Sequence, residues 1–231
     1  LGKKGYYSAF FHGAENGSMG FQAFARATGF EDYLGRTEYN EDNRFQGDAD
    51  FDGTWAIWDE PFLQFYALKM SEFREPFVSA VFTASSHHPY AIPESYKEIY
   101  PEEELVIHKC VRYTDHALEL FFETASQQPW FKNTLFVITA DHTNLSCKPE
   151  YQTALGGFSV PIAFYDPSGE MPVGKKEGIA QQIDILPTVL GYLGYEKPFV
   201  AFGCDLMNTP VEDTWAINYQ NGIYQYVRGD Y

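Results

Sequence analysis

Apolar residues along this chain fall into short unbroken runs separated by polar, glycine-rich stretches. Residues 6–11 (YYSAFF) form such a run, which predicts a strand buried on both faces. Residues 76–83 (PFVSAVFT), 134–140 (TLFVITA) and 160–165 (VPIAFY) also read as strands. Between them the spacing changes to three and four. Residues 61–71 (PFLQFYALKMS) predict a helix, and 105–127 a longer one, with Val106, Cys110, Tyr113, Ala117 and Leu120 on one apolar face. Residues 21–28 predict a short helix. Residues 178–194 predict another, bent at Pro187. Residues 13–20 are small and polar, a loop. Residues 31–52 carry acids and glycines without period, which predicts an irregular surface excursion. Near the end, Asn221-Gly222 between two aromatic-rich runs predicts a two-residue hairpin.

Strands alternating with helices predict an α/β domain with a mostly parallel sheet. The terminal hairpin is antiparallel. The expected division is a core over 1–207 and a hairpin appendage of the same domain over 208–231. No repeat or low-complexity segment interrupts the pattern.

Composition narrows the function. The 231 residues suffice for one sizeable core, and 45% of them are hydrophobic. The formal net charge of −16 repels phosphate backbones, which argues against nucleic acid as a partner. An anionic substrate would need a cation to offset that field. Cys110, Cys147 and Cys204 are odd in number, so one thiol at least is unpaired. No apolar run is long enough to span a membrane, and no signal peptide is evident. The chain begins at Leu1, without Met, which reads as a piece of something longer.

Three of the apolar runs end on histidine: at His12, at His87-His88 and at Asp141-His142. In an open parallel sheet, ligands gather beyond the carboxyl ends of the strands, so these residues suggest a convergent polar site. Asp and neutral His suit zinc or manganese. A lone histidine after a strand is more often a loop residue, and Asp is a common turn former. His108 and His116 lie within the long predicted helix and read as structural or solvent-facing. Asp115 and the acids from Glu94 to Glu104 read as solvated. WAIWDE, residues 55–60, reads as packing, although Asp59 sits in it.

The segments FHGAENGSMGF (11–21), SSHHPY (85–90), TLFVITADHTN (134–144) and QQIDILPTVLGYLG (181–194), with WAIWDEPFL and AFGCDL, occur in one order along the chain. Together they resemble the lipoteichoic acid synthase-like branch of the sulfatase family, in the alkaline phosphatase superfamily. The resemblance implies a three-layer α/β/α sandwich with a divalent metal at the carboxyl edge of its sheet, manganese or zinc ahead of magnesium or calcium. It implies metal ligation by Asp141 and His142, phosphate contact by His87, and a substrate pocket lined by His12, Glu15 and Asn16. After Asn16 the chain runs Ser18-Met19-Gly20-Phe21, where the synthases proper carry an aromatic and an arginine.

The implied activity is a metal-dependent phosphoester transfer or hydrolysis of the phosphoglycerol type. The alternatives are a sulfate-ester hydrolase and a non-catalytic binder of anionic glycan or lipid head groups. The implied substrate is an anionic phosphoester or sulfate ester, lipid- or glycan-linked, met at the extracytoplasmic face of the cell membrane. A membrane segment would lie outside this chain. The family's threonine or formylglycine nucleophile is expected upstream of Leu1, leaving no catalytic nucleophile here. Cys147-Lys148-Pro149-Glu150-Tyr151 approaches the sulfatase pattern C-x-P-x-R, but lacks the arginine and follows the Asp-His pair.

Overall fold

The computed structural model describes residues 1–229. They divide into two compact units, the first Leu1–Lys132 and the second beginning at Asn133. The last two residues of the expected appendage lie outside the described residues.

In the first unit, β1 (Tyr7–His12) lies between β2 (Asp32–Leu34) and β3 (Phe77–Phe82), parallel to both. The register with β3 runs from Tyr7 against Phe77 to His12 against Phe82, so both strands end together. Four helices accompany them: α1 (Phe21–Thr28), α2 (Arg36–Asn40), α3 (Asp59–Met70) and α4 (Ile107–Ala125). Gly29 ends α1 in the left-handed conformation (φ 92°), where a Cβ would be strained. The α3 and α4 helices pack on each other. Aromatic rings make much of this core. Phe11 meets Tyr66 at 4.8 Å between centroids, and Tyr66 stacks on Phe121 at 5.6 Å.

Two expectations change here. Residues 31–52 are not irregular throughout, since they supply β2 and α2. Both are too short to show a period. They are held by tertiary bonds, with Asn16 donating to the Glu38 carboxylate, which in turn accepts from the Gly35 N–H at 2.6 Å. The buried face of α4 is Cys110, Tyr113, Ala117, Phe121 and Ala125, while Val106 is exposed. Phe121 occupies the buried position expected of Leu120, because its larger ring reaches Tyr66.

In the second unit, β4 (Phe136–Thr139) pairs antiparallel with β5 (Ile162–Tyr165). The parallel pairs of the expected mostly parallel sheet lie in the first unit, and β4 with β5 is antiparallel. A short apolar run encodes burial and not the direction of its partner. Helix α5 (Ile185–Tyr192) is shorter than predicted. Pro187 falls in its first turn, where a missing N–H costs nothing, so it does not bend the helix. The hairpin forms as predicted: β6 (Trp215–Gln220) and β7 (Ile223–Arg228) flank Asn221 and Gly222 at φ 52° and 83°. Two positive φ values match the type I′ turn that suits strand twist.

Candidate functional site

In the first unit the carboxyl ends of β1 and β3 carry the histidines. His12 closes β1 and is 0% exposed. Its Nδ1 lies 3.0 Å from the Phe82 carbonyl oxygen. A carbonyl only accepts, so Nδ1 carries the proton and Nε2 a lone pair, which has no partner among the described residues. Burial pushes the imidazole below its ordinary pKa, outweighing the hydrogen bond, and keeps it neutral. The rings of Phe21 and Trp55 stand 4.6 and 5.2 Å from it. His12 is thus walled in by aromatic side chains.

Trp55 also faces His87, with ring centroids 4.7 Å apart. His87 is exposed. Its Nδ1 lies 2.9 Å from the His88 carbonyl oxygen, which fixes the proton there and leaves Nε2 outward for a ligand.

The loop that presents His87 hangs from Asp59, the first residue of α3, only 2% exposed. Asp59 Oδ1 accepts from the N–H groups of Ala84 and Ser85 at 2.8 and 3.1 Å. Oδ2 accepts from Thr114 Oγ1 at 2.8 Å, and Thr114 Oγ1 lies 3.0 Å from Ser86 Oγ. The Asp59 N–H donates to Ser85 Oγ. Burial raises the pKa of this carboxyl, opposed by those bonds. Sequence reading left Asp59 as packing. An acid opening a helix inside an apolar stretch was the available clue. Glu15 is exposed, and Asn16 is committed to Glu38 in anchoring α2.

In the second unit Asp141-His142 follows β4 directly. Asp141 Oδ2 and His142 Nε2 stand 3.3 Å apart, with side chains 50% and 70% exposed. His142 Nδ1 lies 2.7 Å from the Thr143 carbonyl oxygen, so Nε2 of the neutral ring presents a lone pair. An anionic oxygen and a nitrogen lone pair at that separation repel unless a proton or metal ion lies against both. The distance suits neighbouring ligands: two donors ~2.1 Å from one ion at tetrahedral angles stand about 3.4 Å apart. A backbone carbonyl on the far nitrogen is also how metal-binding histidines are usually oriented. The pair fits two ligand positions of a divalent ion. Among the described residues no group of three or more such side chains gathers to complete one. His142, Thr143, Asn144, Tyr151 and Ser159 line a cavity of about 520 Å³. Cys147 is half-buried and precedes the single turn Pro149–Tyr151.

Comparison with known proteins matches the family model described as Sulfatase over residues 1–195. Lipoteichoic acid synthase 1 of Bacillus subtilis is 25% identical, over 96% of this chain and 36% of its own length. The lipoteichoic acid synthase of Staphylococcus aureus is 26% identical, over 75% of this chain and 30% of its own length. The chain thus spans about a third of the curated relatives it matches. Among solved structures, an alkaline phosphatase superfamily protein from Vibrio parahaemolyticus superposes with a TM-score of 0.80 at 26% identity, covering 99% of this chain and 54% of its own. The lipoteichoic acid synthase LtaP from Listeria monocytogenes gives 0.74 at 24% identity, covering 90% of this chain and 55% of its own. The fold is the α/β fold of the alkaline phosphatase superfamily, and the chain belongs to the sulfatase family.

Proposed function

We propose that the full-length protein is a metal-dependent phosphoester transferase or hydrolase of the phosphoglycerol type. The observation that carries this reading is the Asp141–His142 pair, an electron-rich pair at ligand spacing with its histidine tautomer fixed. Asp141 and His142 would contribute two ligands, and the rest would come from groups outside this set. A divalent ion, when bound, supplies Lewis acidity toward a phosphoryl oxygen and lowers the pKa of a bound hydroxyl. Manganese and zinc suit the donor set.

His87 is assigned to the non-bridging oxygens of the ester. Because Nδ1 is fixed on the His88 carbonyl, Nε2 donates only when the ring is protonated. The Trp55 ring lies tilted beside the His87 imidazole, with centroids 4.7 Å apart. His12 packs on Trp55 and is 0% exposed, so its part in lining the substrate pocket would run through that indole.

The substrate class would be a lipid- or glycan-linked anionic phosphoester at the outer face of the cell membrane, as the names of the synthases suggest. No helix among the described residues is long and apolar enough to cross a membrane. The sulfate-ester alternative is separated from this reading by the nucleophile: threonine or serine would favour a phosphoester, and cysteine within C-x-P-x-R a sulfate.

The test is a turnover assay of the full-length protein with Mn²⁺ or Zn²⁺. It compares an aryl phosphodiester carrying glycerol phosphate with the matching aryl sulfate. Metal-dependent release from the phosphodiester is expected, falling about 100-fold in His87→Ala. Preference for the sulfate would overturn the phosphoester assignment, and unchanged turnover in His87→Ala would remove His87 from the site.

A further inference from the structure

Ala140 and Asp141 lie just beyond the paired residues of β4, whose register with β5 ends at Thr139 against Ile162. Their carbonyl groups have left the ladder. Both accept instead from one side chain: Gln182 Nε2 lies 2.6 Å from the Ala140 oxygen and 3.0 Å from the Asp141 oxygen. A carboxamide has two N–H donors, enough for two successive carbonyls. The Asp141 and His142 side chains are half-exposed or more, so packing does little to hold them. Their backbone decides where Oδ2 and Nε2 stand.

Gln182 is itself held from below. It opens the single turn Gln182–Asp184, and Asp184 is 1% exposed. The Asp184 carboxylate accepts from the Gln181 N–H at 2.7 Å and from the Cys204 N–H at 2.8 Å. Thr188 Oγ1 donates to the Asp184 carbonyl and accepts from the Leu206 N–H. The neighbouring glutamine faces the other way. Gln181 Nε2 donates to the Trp215 carbonyl at 2.7 Å, and its Oε1 accepts from the Ile217 N–H at 3.0 Å. Two adjacent amides on one buried anchor thus join the Asp141 loop to strand β6.

We propose that Gln182 is a positioning residue for the Asp141–His142 pair, and that Gln181 makes this geometry depend on the C-terminal hairpin. The proposal rests on the reading of Asp141 and His142 as metal ligands. It assigns Gln182 no contact with metal or substrate.

The test titrates the full-length protein with Mn²⁺ by calorimetry and records the electron paramagnetic resonance spectrum of the bound ion. It compares wild type with Gln182→Met, which keeps the length and removes the donors, and with Gln181→Met and Asp141→Asn. Gln182→Met should weaken Mn²⁺ about 10-fold, the scale usual for groups that orient metal ligands. It should also alter the spectrum, while the metal-free melting temperature shifts by no more than about 4 °C. Gln181→Met should weaken Mn²⁺ less, in the same direction. Wild-type affinity and spectrum in Gln182→Met, with binding lost in Asp141→Asn, would overturn this inference and leave the ligand reading standing. Wild-type affinity in Asp141→Asn would overturn the ligand reading, and this inference with it. A larger fall in metal-free melting temperature would mark Gln182 as a structural residue and overturn its positioning role.

Discussion

The loop carrying His87 in the first unit hangs from a buried carboxylate, whereas the loop carrying Asp141 and His142 in the second hangs from an exposed amide. The surroundings differ accordingly. The first unit holds Phe11, Tyr39, Phe65, Tyr113 and most other fully buried apolar side chains. In the second, Met171, Pro187, Leu190 and Leu206 are the buried apolar side chains among the described residues. A dry core makes each polar bond strong and each broken one expensive, so Asp59 couples the presentation of His87 to stability. A half-exposed pair of strands offers no such environment. There the loop is braced by hydrogen bonds that water can replace, so its geometry can change with little loss of fold. Site residues in the first unit should therefore be sensitive to destabilisation, and those in the second to local geometry.

The largest effect that sharpens this contrast is expected at Asp59. Asp59→Ala leaves the Ala84 and Ser85 N–H groups and the Thr114 hydroxyl without their acceptor inside a packed core. Unfolding in urea should show a loss of about 3–5 kcal/mol, against about 1 kcal/mol for Gln182→Met. Equal losses would erase the distinction between the two loops.

The next effect is a pH dependence that belongs to the first unit. Burial holds the folded-state pKa of His12 below its ordinary value of 6.5. Below pH 6.5 the unfolded chain binds a proton that the folded chain refuses. The stability His12 allows is thus complete above that pH and is lost as pH falls below it, by at most about 1.4 kcal/mol per pH unit. Melting curves below that pH should show the slope in wild type and a shallower one in His12→Phe. The same slope in both would place the proton uptake elsewhere.

A smaller effect should stay within the second unit. Gly222 holds φ 83° in the hairpin turn, so Gly222→Ala should cost about 1 kcal/mol. Hydrogen exchange should speed up in β6 and β7 while the amides of β1 and β3 are unchanged. Faster exchange in β1 would mean that the two units do not respond separately.

Much of this organisation was legible in the sequence where one residue pattern decides one element. Unbroken apolar runs gave the four core strands, and Asn221-Gly222 gave the hairpin. His87 and Asp141-His142 stood out because polar chemistry followed directly on apolar runs. What was hidden depends on distant partners. Nothing local marks residues 32–34 as a strand until β1 lies beside them. His12 looks like His87 in sequence, yet His12 is buried beside Phe21 and Trp55, while His87, also beside Trp55, is exposed. Asp59 and Gln182 serve loops 25 and more than 40 residues away in sequence.

The most direct test of the account is the metal affinity of the full-length protein with and without the Asp141 carboxylate. Titration with Mn²⁺ and Zn²⁺ should show one tight site in wild type and a large loss in Asp141→Asn, which removes the anionic ligand and keeps the side-chain shape. Wild-type affinity and stoichiometry in Asp141→Asn would contradict the claim that this strand end holds the metal.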